Sequence, residues 1–192
     1  MTKDKPATST AAEIDELIAK MGKTRSLPEA EQLARRAIQL KPDHPGFHLA
    51  LGAVLHNRGK AAEAQAAYGE CLKLDKKNVR ALINLGSLQV DAGHPEAGMQ
   101  ALDAALYLAP DHPEARFHKS RALGMMGKTG EAFEILDDLA KKMPENVPVL
   151  KVLARCHQDM GNQTEAAEVL ERAARLAPND KAIASALAKL AN

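Results

Sequence analysis

Small and apolar side chains recur along the chain in steps of three and four. Ala30, Ala34, Ala37 and Leu40 form one run, Leu82, Leu85 and Leu88 a second, and Ala166, Leu170, Ala173 and Leu176 a third. Such steps place each set on one face of a 3.6-residue helix. The runs themselves repeat. Leu40, Leu74, Leu108, Lys142 and Leu176 stand 34 residues apart, as do Arg25, Gly59, Gly93, Gly127 and Gly161. Ala30, Ala64, Gly98, Ala132 and Ala166 keep that step, and so do Pro42, Lys76, Pro110, Pro144 and Pro178. Four columns held in one period, with no insertion, define an internal repeat.

The pattern predicts units at 11–44, 45–78, 79–112, 113–146 and 147–180, each a helix, a turn, a second helix and a turn. Residues 181–192 start a sixth unit and predict one capping helix; residues 1–10, MTKDKPATST, read as a disordered tail. The breakers agree with this punctuation. Every proline falls in a turn, a first helical turn or the tail, where it interrupts no helical hydrogen bond. Gly59, Gly93, Gly127 and Gly161 sit where first helices end and a left-handed residue is wanted.

The motif residues resemble the tetratricopeptide repeat family. Its signature is an aromatic residue, Leu-Gly and a large residue in the first helix, then Ala, a large residue and Ala in the second, and a closing Pro. Unit two reads His48, Leu51-Gly52, Leu55, Ala64, Tyr68, Cys71; unit three reads Leu82, Leu85-Gly86, Gln89, Gly98, Leu102, Ala105, Pro110. No unit has the aromatic residue, Arg25 replaces one turn glycine, and Arg116, Lys119 and Ser120 take the slots of Leu, Leu and Gly in unit four. The resemblance implies an all-α solenoid, a right-handed superhelix of antiparallel helix pairs in a single domain over 11–192. It also implies that the first helices line a concave wall.

With Leu82, Leu85 and Gly86 assigned to the core, the inner face of unit three is expected to be Arg80, Ile83, Asn84, Ser87 and Asp91. Followed through the stack, one row runs Asp15, Leu49, Ile83, Phe117, Lys151; a second runs Glu16, Ala50, Asn84, His118, Val152; a third runs Ala19, Ala53, Ser87, Arg121, Arg155. The wall thus passes from acidic to apolar to basic. The candidate contact residues are Leu49, Arg80, Ile83, Asn84, Ser87, Phe117, His118, Arg121, Lys151 and Arg155. They suit a protein or peptide partner with apolar anchors and acidic groups. The competing expectation is that these residues merely pack against one another across the wall. A carboxylate clamp of the kind some family members use is not expected, because Leu49, Ala53, Asn84, Glu114 and His118 occupy its positions and only Asn84 suits it.

Composition narrows the classes. The 192 residues carry 26 Lys+Arg against 25 Asp+Glu, so no broad basic face for nucleic acid is expected. No stretch approaches the length of a membrane span, and no secretory leader is evident, so the expectation is a cytoplasmic chain without membrane insertion. The chain has no Trp, two Tyr and three Phe, which predicts an aliphatic, alanine-rich core of close-packed helices.

Other motifs carry less. Gly22-Lys23-Thr24 and Gly127-Lys128-Thr129 lack the upstream glycine of a phosphate loop, which stands as Leu17 and Ala122. His44 and His48 are four apart but no third ligand lies nearby, so no metal is expected. Cys71 reads as a packing thiol, and Cys156 is too distant for a disulfide. Arg116 and Lys119 read as snorkelling stems paired with Asp103, Glu134 or Asp137, or else as an anion-binding notch. No nucleophile and base are legible, so neither catalysis nor a cofactor is expected. The leading class is a non-catalytic interaction scaffold. The alternatives are a self-assembling scaffold, docked through a lightly polar outer side of the last helix (Ala182, Ser185, Ala186, Lys189, Asn192), and a regulatory segment of a larger enzyme such as a transferase.

Overall fold

The computed structural model describes residues 7–190, with side chains from 11 onward. Its described residues form helices and no strand: α1 (Ala7–Lys23), α2 (Leu27–Leu40), α3 (Pro45–Asn57), α4 (Ala61–Leu74), α5 (Val79–Asp91), α6 (Pro95–Leu108), α7 (Pro113–Met125), α8 (Thr129–Lys142), α9 (Val147–Asp159), α10 (Gln163–Leu176) and α11 (Lys181–Leu190). The fold is all-α, as the repeat predicts. No helix among the described residues is long and apolar enough to cross a membrane.

The helix boundaries follow from local chemistry. Gly59, Gly93, Gly127 and Gly161 have φ of +71°, +82°, +75° and +83°, the left-handed turn expected of them. At the first turn Arg25 does not adopt that conformation. Ser26 caps α2 instead, its hydroxyl accepting from the Glu29 amide. The first helices share a cap column. Asn78, Asn146 and Asp180 accept from amides of the first turns that follow, at 3.0, 3.1 and 2.8 Å. His44 and His112 stand in that column without a capping bond; the His44 ring stacks on Phe47 at 4.3 Å between centroids. Helix α1 begins at Ala7, so 7–10 are helical rather than tail, in keeping with the helix propensity of Ala7, Ala11 and Ala12. The rest of the expected tail, 1–6, lies outside the described residues.

The chain divides into two compact units, Met1–Leu88 and Gln89–Asn192, the boundary falling in the last turn of α5. In the first, α1 packs on α2, α2 on α3 and α3 on α4. One cluster buries Leu17, Ala37 and Phe47; another buries Ala34, Leu51, Leu55, Ala64, Ala67, Tyr68 and Leu88. Gly52 of α3 is where the backbone meets Tyr68 of α4: a Cβ there would lie 2.5 Å from the ring. Beside this core, Glu31 of α2 accepts from Arg35, Arg58 and Lys60, and Arg35 reaches on to Glu63 at 2.8 Å. The Arg35 guanidinium, more than the other two cations, holds the Glu31 carboxyl below the usual carboxylate range.

In the second unit each helix from α6 to α11 packs against the next. Val90, Leu102 and Ala122 form a small cluster; Leu123, Leu136, Leu139, Leu150, Leu153, Leu170 and Ile183 lie at the centre of a larger one. Helix α7 is as long as α3, α5 and α9 despite the charged residues in its apolar slots. Ser120 is buried and donates to the Phe117 carbonyl at 2.7 Å, and the Arg116 and Lys119 stems are half-buried under ion pairs. In α11, Ile183 is buried, Leu187 packs on the core and Ala184 faces solvent, while Ala186, expected on the outer side, packs inward. Ala186 follows Ile183 by three positions, which keeps the two on one face. Asn192, also assigned to the outer side, lies outside the described residues.

Two glycines should respond oppositely to a methyl group. Gly52→Ala should destabilise the chain by about 1–3 kcal/mol through overpacking on Tyr68. Gly69→Ala, inside α4 with open space where its Cβ would be, should stabilise it by about 1 kcal/mol through helix propensity. Urea midpoints of the two variants against the parent check both signs.

Candidate functional site

The expected contact residues do not all reach solvent. In the first unit Ile83 is 1% exposed and Ser87 7%, so neither lines an open wall. The reason lies in α5. It buries Ala81 and Leu88 on one side and Ile83, Gly86, Ser87 and Val90 on the opposite side. Both sides are buried, whereas a three-and-four stripe marks only one. Leu82 and Leu85, assigned to the core, are half-buried between those sides.

Leu49 is half-buried and packs on the Leu51–Tyr68 cluster. Asn84 is tied to the Tyr68 hydroxyl, whose pKa burial raises to about 12 while the Asn84 bond opposes the rise. Arg80 is exposed and has no ion pair among the described residues.

The second unit keeps more of the expected surface. Phe117 and His118 are half-buried on α7, their rings edge-on at 5.4 Å. Arg121 donates to Asp91 at 2.7 Å and Lys151 to Asp180 at 2.8 Å. Arg155 differs. Its side chain is 78% exposed and its acidic neighbour, Asp159 on the same helix, is 3.9 Å away.

Three cavities follow the first helices of this unit. One of about 130 Å³ lies between Ser120, Arg121, Gly124 and Met125 of α7 and Val152, Arg155, Cys156 and Asp159 of α9. A second, of about 320 Å³, is lined by Phe117, His118, Met143, Pro148 and Val149 near the starts of α7 and α9. A third, of about 190 Å³, is lined by Lys151, Ala154, Arg155 and Gln158 of α9, Leu170 of α10, and Ala182, Ile183 and Ala186 of α11.

Gly124, Met125, Met143 and Pro148 were not among the expected contact residues. Gly124 had a signal. Its column reads Gly22, His56, Val90, Gly124, Gln158, so unit four lacks a side chain between two units that carry a large one. No heavy atom lies within 4 Å of where its Cβ would be, and the missing side chain opens the cavity beside it.

Burial pushes both thiols, Cys71 and Cys156, above the ordinary thiol range, which keeps them protonated at neutral pH. Lys119 pairs with Asp103 at 2.6 Å as expected. Arg116 pairs with Asp138 at 2.5 Å, not with Glu134, which is exposed, or Asp137, which pairs with Lys141 at 2.6 Å. Both cations of the expected anion notch are therefore occupied. His48 hydrogen-bonds the Pro42 carbonyl at 2.7 Å, and no group of three metal-ligating side chains is present among the described residues.

Family models described as tetratricopeptide repeat match residues 22–70, 55–122 and 125–190. The chain belongs to the tetratricopeptide repeat family, a class of protein-interaction scaffolds. It is 32% identical over 103 residues to the human protein O-mannosyl-transferase TMTC3, a match covering 53% of this chain and 11% of that protein. The fold is that of solved repeat proteins. MamA residues 41-end from Desulfovibrio magneticus RS-1 matches with a TM-score of 0.76 at 17% identity, covering 90% of this chain and 97% of that one. YrrB, described as a TPR protein with an unusual peptide-binding site, matches with a TM-score of 0.70 at 20% identity, covering 96% and 98%.

Acid should loosen the α9–α11 contact first at Asp180. Lys151, and less strongly the amides of Ala182 and Ile183, hold its carboxyl below the ordinary range. A carboxyl lowered in the folded state contributes stability above its unfolded pKa and loses that contribution as the pH falls through the folded one. Amide exchange in α11 should accelerate as the pH drops below the ordinary carboxylate range, once corrected for intrinsic rates. Asp180→Asn, which keeps a capping oxygen, should flatten that acid dependence.

Proposed function

We propose that the chain is a non-catalytic interaction scaffold that holds a segment of a partner protein along the seam between α7 and α9. The observation that carries this reading is the pair of cavities, about 130 and 320 Å³, strung along the same two helices. Their walls are largely apolar, from Phe117, Met143 and Val149 at one end to Met125 and Val152 at the other. Ligand sites are concave surfaces of this kind, mostly apolar with a few polar groups. Phe117 and Val152 supply area for contact; His118, Arg121 and Arg155 supply orientation. Membership of a scaffold family supports the reading, and so does the peptide-binding site named for YrrB.

The likeness to part of an O-mannosyl-transferase favours a second reading, in which this array is an accessory segment of a larger enzyme. A blot of the source cell with antibody against the chain separates the two: a product much larger than the chain supports the second.

Gly124→Val tests the seam without threatening the fold. Its side chain enters open space, so the melting temperature should stay within a few degrees of the parent. It should also fill the smaller cavity and reduce partner capture in pull-downs from source-cell extract at least tenfold. Capture unchanged by Gly124→Val and by Phe117→Ala would remove the seam as the contact site.

A further inference from the structure

The two ends of the seam differ in size. The cavity near the starts of α7 and α9 measures about 320 Å³, against about 130 Å³ farther along the same helices. A cavity of about 150 Å³ takes a benzene ring. The larger cavity therefore has ample room for an aromatic side chain, and the smaller is nearer the size of an aliphatic one. The walls of the larger one also suit a ring. Phe117 and His118 stand edge-on to one another there at 5.4 Å, and Met143 adds a polarizable thioether. Rings gain more from other rings and from thioethers than their buried area alone accounts for.

Three polar side chains line this cavity, and two are engaged. Asn146 caps α9, its side-chain oxygen accepting from the Val149 amide at 3.1 Å. His118 Nδ1 lies 3.4 Å from the Arg121 guanidinium. The third is Glu114, which is exposed and has no ion pair among the described residues. No lysine or arginine lines the cavity with it. The other acids that face α7 differ, since Asp103 holds Lys119 and Asp138 holds Arg116.

Helix α7 does not need this carboxylate as a helix. An acid in a first turn is favoured by the helix dipole, yet among the described residues α1, α3, α5, α9 and α11 have none there. The column of Glu114 reads Gly46, Arg80, Glu114, Pro148, Ala182. The dipole tolerates an acid at this place without giving it a counter-ion. A cation brought by a ligand would meet an uncommitted carboxylate beside a space that fits a ring.

Resting on the proposed reading of the seam, we infer that the partner segment seats an aromatic side chain in the larger cavity and carries beside it a lysine or arginine that pairs with Glu114. That pair sets which part of the segment lies at the starts of α7 and α9.

Panning a phage library of random twelve-residue peptides on the full chain tests this, with Glu114→Lys, Arg155→Glu, Gly124→Val and Phe117→Ala as parallel targets. Peptides selected on the parent should carry Phe, Tyr or Trp with Lys or Arg close by in sequence. The pool selected on Glu114→Lys should keep the aromatic residue and exchange that base for Asp or Glu. The pool selected on Arg155→Glu should keep both, because Arg155 does not line this cavity. Glu114 is exposed, so Glu114→Gln should leave the helical circular dichroism unchanged and the melting temperature within a few degrees of the parent. A selected peptide, made synthetically and labelled, should bind Glu114→Gln about fivefold more weakly by fluorescence anisotropy, the size expected of an exposed ion pair. High salt should shrink that difference. Peptides that are lost on Gly124→Val or Phe117→Ala but lack the aromatic residue, or keep their base on Glu114→Lys, would overturn this inference and leave the seam standing. A pool indifferent to both Gly124→Val and Phe117→Ala, or no enrichment on any target, would overturn both.

Discussion

Close approach of helices over small side chains is the constraint on which the rest depends. Ala64, Gly98, Ala132 and Ala166 are buried at one column of the second helices, and Ala37, Cys71, Ala105 and Ala173 at another. Where no Cβ at all is allowed, as at Gly52, the neighbour is the flat ring of Tyr68. Such positions bring backbones near enough for larger side chains to pack, Leu55 on Tyr68 in the first unit and Leu136 with Leu170 in the second, and the summed dispersion contacts of close packing follow. They also set how each helix is rotated. That rotation decides which side chains are left over for a partner.

Much of the fold was legible for this reason. Small residues in a fixed column, left-handed glycines at the turns and prolines at first turns each have a local cause, and they agree with one another. Residues buried by neighbouring helices were less legible. Phe47, Ala81, Ala115, Val149 and Ile183 form a column that is buried from the second repeat onward, yet their sizes vary too widely for it to read as a motif. The same blindness placed Ile83 and Ser87 on an open wall. A period of three and four reports one apolar stripe of a helix, not a second side that is buried as well.

Charge was legible as composition and illegible as electrostatics. The row from Arg121 to Lys151 and Arg155 looks basic in sequence, but two of the three are neutralised by acids about thirty residues away. Glu31 shows the same logic in the first unit, meeting Arg58 and Lys60 from the following hairpin. Ion pairs at nearly one repeat length join successive hairpins along the surface. They leave the weakly paired cation, Arg155 with Asp159 at 3.9 Å, as the informative one.

Openness alone does not make a site. Gly69 has as much room around its missing side chain as Gly124 has, and a glycine inside a helix costs about 1 kcal/mol relative to alanine wherever it stands. Gly124 differs in its surroundings. It faces a cavity walled by Met125, Val152 and Cys156, and the guanidinium at the lip of that cavity has no close partner. Exposed methionine is adaptable contact surface, and Met125 is 51% exposed at the same lip. Packing explains Gly52, since nothing larger fits beneath Tyr68. It does not explain Gly124. The gap left by its absent side chain has a shape, an apolar wall and a charge at its lip.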